Sequence, residues 1–346
     1  MRYVFSDEPG IRRVRRGRQF EYLDPHGRSL SPDESARIRK LAIPPAYRDV
    51  WICTDPRGHL QATGIDARGR KQYRYHADWR RQRDGAKFER MADFGESLGN
   101  LRRRLRNDLA LKGLPYKKVL AVVVSLLDST RARVGNTQYT RENGSFGLTT
   151  LRNRHVRFVR DGRALFQFRG KGGIRNEIAI DDRRLARIVR NCQELPGQLL
   201  FQYIDDDGRR RAISSGQVND YLRTTMGANF TAKDFCTWGA TLRALALMVR
   251  TPLPELPSEQ ALNRCILAAV KHVAEELRNT PQVCRKSYIN PLVFSAWRDG
   301  SLHRVIGDRW AGASPQAEQL VIGFSTCAVA RCATGTREIF ENRFEV

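Results

Sequence analysis

The 346-residue chain has no apolar run approaching the roughly 20 residues that a membrane-spanning helix needs. Its first residues, Met1-Arg-Tyr-Val-Phe-Ser-Asp7, hold no apolar stretch leading to small residues, so export is not expected. Cysteine is sparse and unpaired in pattern: the seven stand at 53, 192, 236, 265, 284, 327 and 332, with no CxxC spacing. That excludes a zinc ribbon and a disulfide framework, and it fits a reducing cytoplasm. The six histidines, at 26, 59, 76, 155, 272 and 303, show no metal-ligand spacing either. No internal repeat or low-complexity tract is present. Acidic residues are the most telling shortage, at 37 against 61 lysines and arginines.

What remains is a globular composition, 41% hydrophobic and 28% charged, carrying a net charge of +24. The length suffices for two domains and a sizeable core. A surplus of this size points to a polyanion, because neutralising phosphates releases condensed counterions. Nucleic acid is the first expectation. A membrane surface is less favoured, since no basic helix with a strongly apolar face stands out. Charge alone does not separate an enzyme from a protein that only binds.

Residues 1–88 read as a small, β-rich N-terminal domain. Short apolar stretches are broken by Asp24-Pro25-His26-Gly27, Asp55-Pro56-Arg57-Gly58 and Asp66-Ala67-Arg68-Gly69, spacing that favours antiparallel strands. Trp51–Thr54 and Leu60–Thr63 form a plausible hairpin around the second turn. Ser31–Lys40 reads as a helix with Ser31 as cap and Pro32 at its first position. From residue 89 helical periods dominate. Phe94, Leu98, Leu101, Leu105 and Leu109 make one apolar stripe, flanked by arginines 102, 103, 104 and 106 that suit a solvated face or phosphates. Lys117–Val134 is apolar enough to be a buried helix stopped at Gly135. Strand patterns at His155–Arg160, Ala164–Arg169 and Asn176–Ile180, joined by Asp161-Gly162 and Gly170-Lys171-Gly172-Gly173, predict a three-stranded sheet. Helices follow at 183–193, 215–224, 232–250 and 258–278, the last capped by Ser258 after a proline-rich linker. Residues 313–346 show no usable pattern. The expected class is α+β: an N-terminal β-rich domain over 1–88 and a larger, mainly helical domain over 89–346.

Three motifs carry chemistry. Lys171 lies between glycines at a hairpin tip, where the backbone can approach a ligand closely, although an exposed turn lysine looks the same. Arg133 stands at the end of an apolar helix, a poor place for a charge unless an anion meets it. Tyr288 sits in the basic segment Cys284-Arg-Lys-Ser-Tyr288. Each is weak alone.

In order and context the motifs resemble the type IB DNA topoisomerases, in particular the compact poxvirus-like bacterial branch. The likeness runs from about residue 40 to residue 300. It is carried by Ile43-Pro-Pro-Ala-Tyr-Arg-Asp-Val-Trp51, the block Leu60 to His76, Arg133-Val-Gly-Asn136, Ser145-Phe-Gly-Leu-Thr-Thr-Leu151 and Phe168-Arg-Gly-Lys171. Phe230-Thr-Ala-Lys-Asp-Phe-Cys-Thr-Trp-Gly239 and the stretch from Arg278-Asn-Thr-Pro to Tyr288 complete it. The resemblance implies a clamp around duplex DNA, with no metal or ATP required. It implies Tyr288 as a nucleophile forming a 3′-phosphotyrosyl bond, Lys171 as general acid, Arg133 as a phosphate ligand and Asn279 as a neutral donor to the phosphorane. In the N-terminal domain it implies DNA contacts from Arg68, Arg70, Lys71, Gln72, Tyr73 and Tyr75. A half-buried basic strand would show the same Gln-Tyr-Arg-Tyr pattern.

Position 236 departs from the family. The second phosphate-binding arginine belongs after Lys-Asp-Phe, and here Cys236 stands in its place. A thiol does not neutralise a developing dianion, and losing one such donor costs on the order of a hundred- to a thousandfold in rate. The expectation is an impaired enzyme on an intact scaffold, in which Cys236→Arg raises relaxation strongly. Lys233 and Arg243 are alternative cations for the vacancy. Two rival readings remain: a tyrosine recombinase, which shares the nucleophile, and a non-cleaving DNA-binding relative. The expected setting is a cytoplasmic, nucleoid-associated monomer acting on double-stranded DNA.

Overall fold

The structure, a computed structural model, describes residues 1–306 except 18, 68, 70 and 160, together with 318, 319 and 321–323; side chains 81–86 and 142 are also left aside. Arg68 and Arg70 therefore lie outside the described residues, as does most of 313–346. The chain divides into two compact units, Met1–Lys87 and Phe88–Val346.

The first unit is an antiparallel sheet of β1 (Ile11–Arg16), β2 (Gln19–Leu23), β3 (Arg48–Ile52), β4 (Leu60–Ile65) and β5 (Lys71–Tyr75), in the order β2-β1-β3-β4-β5. Helix α1 (Pro32–Lys40) begins at Ser31, whose hydroxyl accepts from the Glu34 amide. Its one buried residue, Ile38, joins Ile11, Val50, Ile52 and Ala62 in the core. The hairpin pairs Trp51 with Thr63 and Ile52 with Ala62. Its long turn is held from inside: buried Gln61 donates to the carbonyls of Asp55, Pro56 and Gly58, at 3.2, 3.2 and 2.7 Å, and accepts from Arg37. Strand β5 forms one edge of the sheet, and α2 (Ala77–Glu89) follows it.

The second unit is mainly helical. It contains α3 (Met91–Leu109), α4 (Tyr116–Thr130), α5 (Thr137–Asn143), α6 (Arg183–Glu194), α7 (Ser215–Met226), α8 (Ala232–Val249), α9 (Glu259–Glu276), α10 (Pro281–Ser287), α11 (Leu292–Arg298) and α12 (Ser301–Ile306). Strands β6 (Val156–Phe158), β7 (Ala164–Arg169) and β8 (Arg175–Ile180) form the three-stranded sheet in sequence order. Its inner face presents Phe166, Phe168, Ile178 and Ile180, covered by Leu185, Ile188 and Val189 of α6. A small hairpin, β9 (Gln202–Ile204) with β10 (Arg210–Ala212), has no counterpart in the sequence-based expectation, because each strand is only three residues long. Nearly every residue of α8 is buried, and this helix packs against α3, α4, α7, α9, α11 and α12.

Two expectations need correction. Helix α4 stops at Thr130, not at Gly135, because Arg131 turns into the left-handed region at φ 55°. The Thr130 hydroxyl donates to the Leu126 carbonyl and accepts from the Ala132 amide, which closes the last turn. Arg133 therefore stands in an extended loop rather than on a helix. Of the arginines on α3, Arg102 does not lie free on a solvated face: it is clamped between Asp128 and Glu318 at 2.8 and 2.6 Å. Arg104 is paired with the buried Asp108.

Candidate active site

The loop after α4 is fixed by close backbone packing. The Leu148 amide donates to the Arg133 carbonyl at 2.9 Å, and the Thr149 amide to the Val134 carbonyl at 2.7 Å. A Cβ on Gly147 would lie 2.5 Å from the Gly135 nitrogen, and Gly135 itself has φ 100°, so both positions require glycine. The Phe146 amide reaches the Arg169 carbonyl at the end of β7, which ties the Arg133 loop to the hairpin that carries Lys171.

A small hollow opens beside this loop, lined by Arg131, Ala132, Arg133, Asn176, Cys236, Glu276, Leu277, Arg278, Asn279 and Tyr288. Four of the sequence-predicted residues meet here: Arg133, Cys236, Asn279 and Tyr288. Arg133 donates to the Asn279 amide oxygen at 2.5 Å and lines the hollow together with Tyr288. Burial raises the phenol's pKa above its ordinary value, and the nearby Arg133 charge opposes that rise. Tyr288 ends α10, which starts from the Thr280 cap with Pro281 at its first position. Its carbonyl accepts from the hydroxyl of buried Thr241 on α8 at 3.2 Å, and the Thr241 hydroxyl oxygen in turn accepts from the Asn290 amide. Thr241 thus ties the backbone at and just after the tyrosine to α8, and no sequence motif signalled it.

Cys236 is buried on the hollow's wall, its thiol donating to the Arg131 carbonyl at 3.4 Å. Burial pushes its pKa up, so the thiol is neutral at neutral pH and brings no charge of either sign to the site. Neither cation suggested for the vacancy lines the hollow. Lys233 is exposed, and Arg243 is held by Glu276 at 2.7 Å with His272 at 2.8 Å. Lys171 is exposed in the single turn between β7 and β8, beside Gly172 and Gly173 with φ 75° and 81°. It does not line the hollow, but its hairpin does through buried Asn176, whose amide nitrogen would meet a Cβ on Gly170 at 2.1 Å. Arg131, Asn176 and Arg278 were not foreseen as site residues.

In the first unit β5 alternates. Tyr73 and Tyr75 are exposed on one side, stacked with ring centroids 6.2 Å apart, and the Lys71 ammonium lies 5.8 Å from the Tyr73 ring. Gln72 and Arg74 face the other side: Gln72 donates to Asp66, and Arg74 to the Ala42 carbonyl. Among the described residues no helix is long and apolar enough to cross a membrane. No cluster of three His, Cys, Asp or Glu side chains among them suits a metal ion.

Known proteins are similar to this sequence over most of its length. Residues 76–293 match the family model of the eukaryotic DNA topoisomerase I catalytic core, and residues 19–66 match the bacterial DNA topoisomerase IB N-terminal domain. The mimivirus (Acanthamoeba polyphaga mimivirus) DNA topoisomerase 1B is 33% identical over 292 residues, covering 81% of this chain and 85% of the relative. DNA topoisomerase 1B of vaccinia virus (strain Copenhagen) is 23% identical over 269 residues, 75% of this chain and 79% of its own. DNA topoisomerase 1 of rabbit fibroma virus (strain Kasza) is 23% identical over 288 residues, 78% and 84%. The chain belongs to the type IB DNA topoisomerases.

Proposed function

We propose that Tyr288 is the nucleophile of this topoisomerase and that the hollow around it is the seat of the scissile phosphate. The observation that carries the reading is the convergence of Tyr288, Arg133 and Asn279 on one hollow, with Arg133 hydrogen-bonded to Asn279. The phenol gives up its proton to solvent water as its oxygen attacks phosphorus, and the bond from phosphorus to the 5′ oxygen breaks. The strand then carries a 3′-phosphotyrosyl bond and a free 5′-hydroxyl. Lys171 donates the proton that the departing oxygen needs. Arg133 binds the non-bridging oxygens through its planar fork, and Asn279 adds a neutral hydrogen bond. Reversal of the step rejoins the strand after rotation relaxes the duplex. The covalent link conserves the bond, so neither ATP nor metal enters, and the protein acts as a monomer on double-stranded DNA in the cytoplasm. The region 1–88 supplies the clamp's second DNA-binding surface, with Lys71, Tyr73 and Tyr75 on the exposed side of β5. Arg68 and Arg70 lie next to it in sequence.

The test is a denaturant-trapped covalent adduct on supercoiled plasmid. The parent forms an adduct and relaxes the plasmid without a paired recognition site, and Tyr288→Phe does neither. An adduct that persists in Tyr288→Phe removes this residue from the mechanism. Activity only at paired sites in a multimer would favour the recombinase reading.

A further inference from the structure

The transition state at a phosphodiester carries negative charge on two non-bridging oxygens, and Cys236 leaves one of the expected guanidiniums missing. We propose that Arg278 supplies it: its guanidinium, with that of Arg133, forms the pair that binds the scissile phosphate. The inference rests on Tyr288 being the nucleophile.

Arg278 lines the same hollow as Tyr288, Arg133, Cys236 and Asn279. It follows α9 at the position where a helix end turns left-handed: the Asn279 amide reaches back to the Ala274 carbonyl, and Arg278 has φ 52°. Glycine is the favoured residue there, and a side chain with a Cβ costs about 1 kcal/mol or more. A bulky residue held in such a conformation at a site wall is the kind of outlier that marks function. Its surroundings give no fold-level reason for the charge. Among the described residues no carboxylate pairs with Arg278, and its hydrogen bond goes to the Glu177 carbonyl on β8. Burial and the nearby Arg133 charge both depress its pKa. Two guanidiniums brought together in a partly buried hollow repel each other until an anion lies between them.

Arg131, also in the hollow, shares the left-handed backbone at φ 55°, but its side chain is placed differently. The Arg131 side chain lies across Gly239, where a Cβ would meet its Nε at 1.9 Å, and it also lines the neighbouring groove with Arg102, Asp128 and Glu318. Arg131 is thus shared with a groove that already holds two carboxylates. Arg278 lies against Asn279 and against the hairpin that bears Lys171. The vacancy at 236 and the charge at 278 therefore face one hollow from α8 and from the end of α9.

The experiment compares the parent with Arg278→Gly, Cys236→Arg, the double variant and Tyr288→Phe, reading plasmid relaxation, the single-turnover rate of adduct formation and the melting temperature. Arg278→Gly relieves the left-handed backbone, so its melting temperature stays level or rises and a lost rate is not misfolding. The expected loss in both rates is about a hundredfold or more. Cys236→Arg raises the rate far more in the Arg278→Gly background than in the parent, since it then refills a vacancy. An Arg278→Gly rate within about threefold of the parent overturns the proposal. So do equal gains from Cys236→Arg in both backgrounds, or a double variant no faster than Arg278→Gly. A parent that forms no Tyr288-dependent adduct overturns the Tyr288 reading and this one together. A Tyr288-dependent adduct indifferent to Arg278 overturns this one alone.

Discussion

A single hydroxyl decides how well Tyr288 is aimed. Thr241 donates to the Tyr288 carbonyl and accepts from the Asn290 amide, joining α8 to the backbone that leaves the tyrosine. Asn290 is almost fully buried, so its amide has no access to water if that oxygen is lost. Thr241→Val keeps the shape and removes both bonds. We expect about 1–3 kcal/mol of lost stability from the orphaned amide. Adduct formation slows by about tenfold or more, because small misplacements of a reacting group are costly. Chemical denaturation and single-turnover cleavage check the two effects. A stable variant with parental cleavage would show that α10 alone positions the tyrosine.

Short irregular segments, more than the long helices, build the site. The Arg133 loop is held by Gly147, Leu148 and Thr149, and the turn that enters β6 is held by His155. The buried His155 ring accepts from the Arg152 amide at 3.0 Å and packs edge-on against Phe146, the neighbour of Gly147, with centroids 4.4 Å apart. Burial, with Arg154 and Arg152 alongside, pushes its pKa down to about 4. The unfolded chain, with a histidine pKa of about 6.5, binds a proton that the folded state refuses between those two values. Stability is therefore full above about pH 6.5 and falls as the pH drops towards 4. His155→Gln keeps an acceptor for the Arg152 amide without the titration. Its fall in melting temperature between pH 7 and pH 5 should be shallower than the parent's by roughly 2–4 °C. An identical fall would place the acid sensitivity elsewhere.

Across the whole chain, the charge of +24 is a statement about the substrate. A DNA topoisomerase handles a polyanion, and its binding must weaken with salt as counterions compete. If six to ten phosphates are neutralised, affinity for a fixed duplex falls by about 10³- to 10⁵-fold between 50 and 200 mM salt. Tyr288→Phe, which leaves the charges in place, should follow the same slope. Filter or fluorescence binding across a salt series measures both. A slope near zero would mean that the surplus arginines serve the fold. For Arg102 and Arg104 that is so, since both are held by carboxylates.

The α+β class, the three-stranded sheet and the principal helices were legible in the linear chain, and so were the motifs that name Arg133, Asn279 and Tyr288, which the fold brings to one hollow. Hydrophobic period and turn chemistry are local, and the motifs keep their order. So was the loss at Cys236, since a missing guanidinium shows as a letter. What the letters concealed is whatever depends on pairs distant in sequence. The end of α4 was misplaced because the backbone approach of Gly135 to Gly147 leaves no mark in either stretch. The three-residue strands of the β9–β10 hairpin are too short for a period. Thr241 reads as one more residue of a buried helix until Tyr288 is seen beside it. Arg278 reads as a charge after a helix, and only folding brings it beside Arg133 and the neutral thiol of Cys236. Composition and period follow from each residue's own chemistry, whereas the electrostatics of the hollow follow from which charges the packed helices bring within reach of one another.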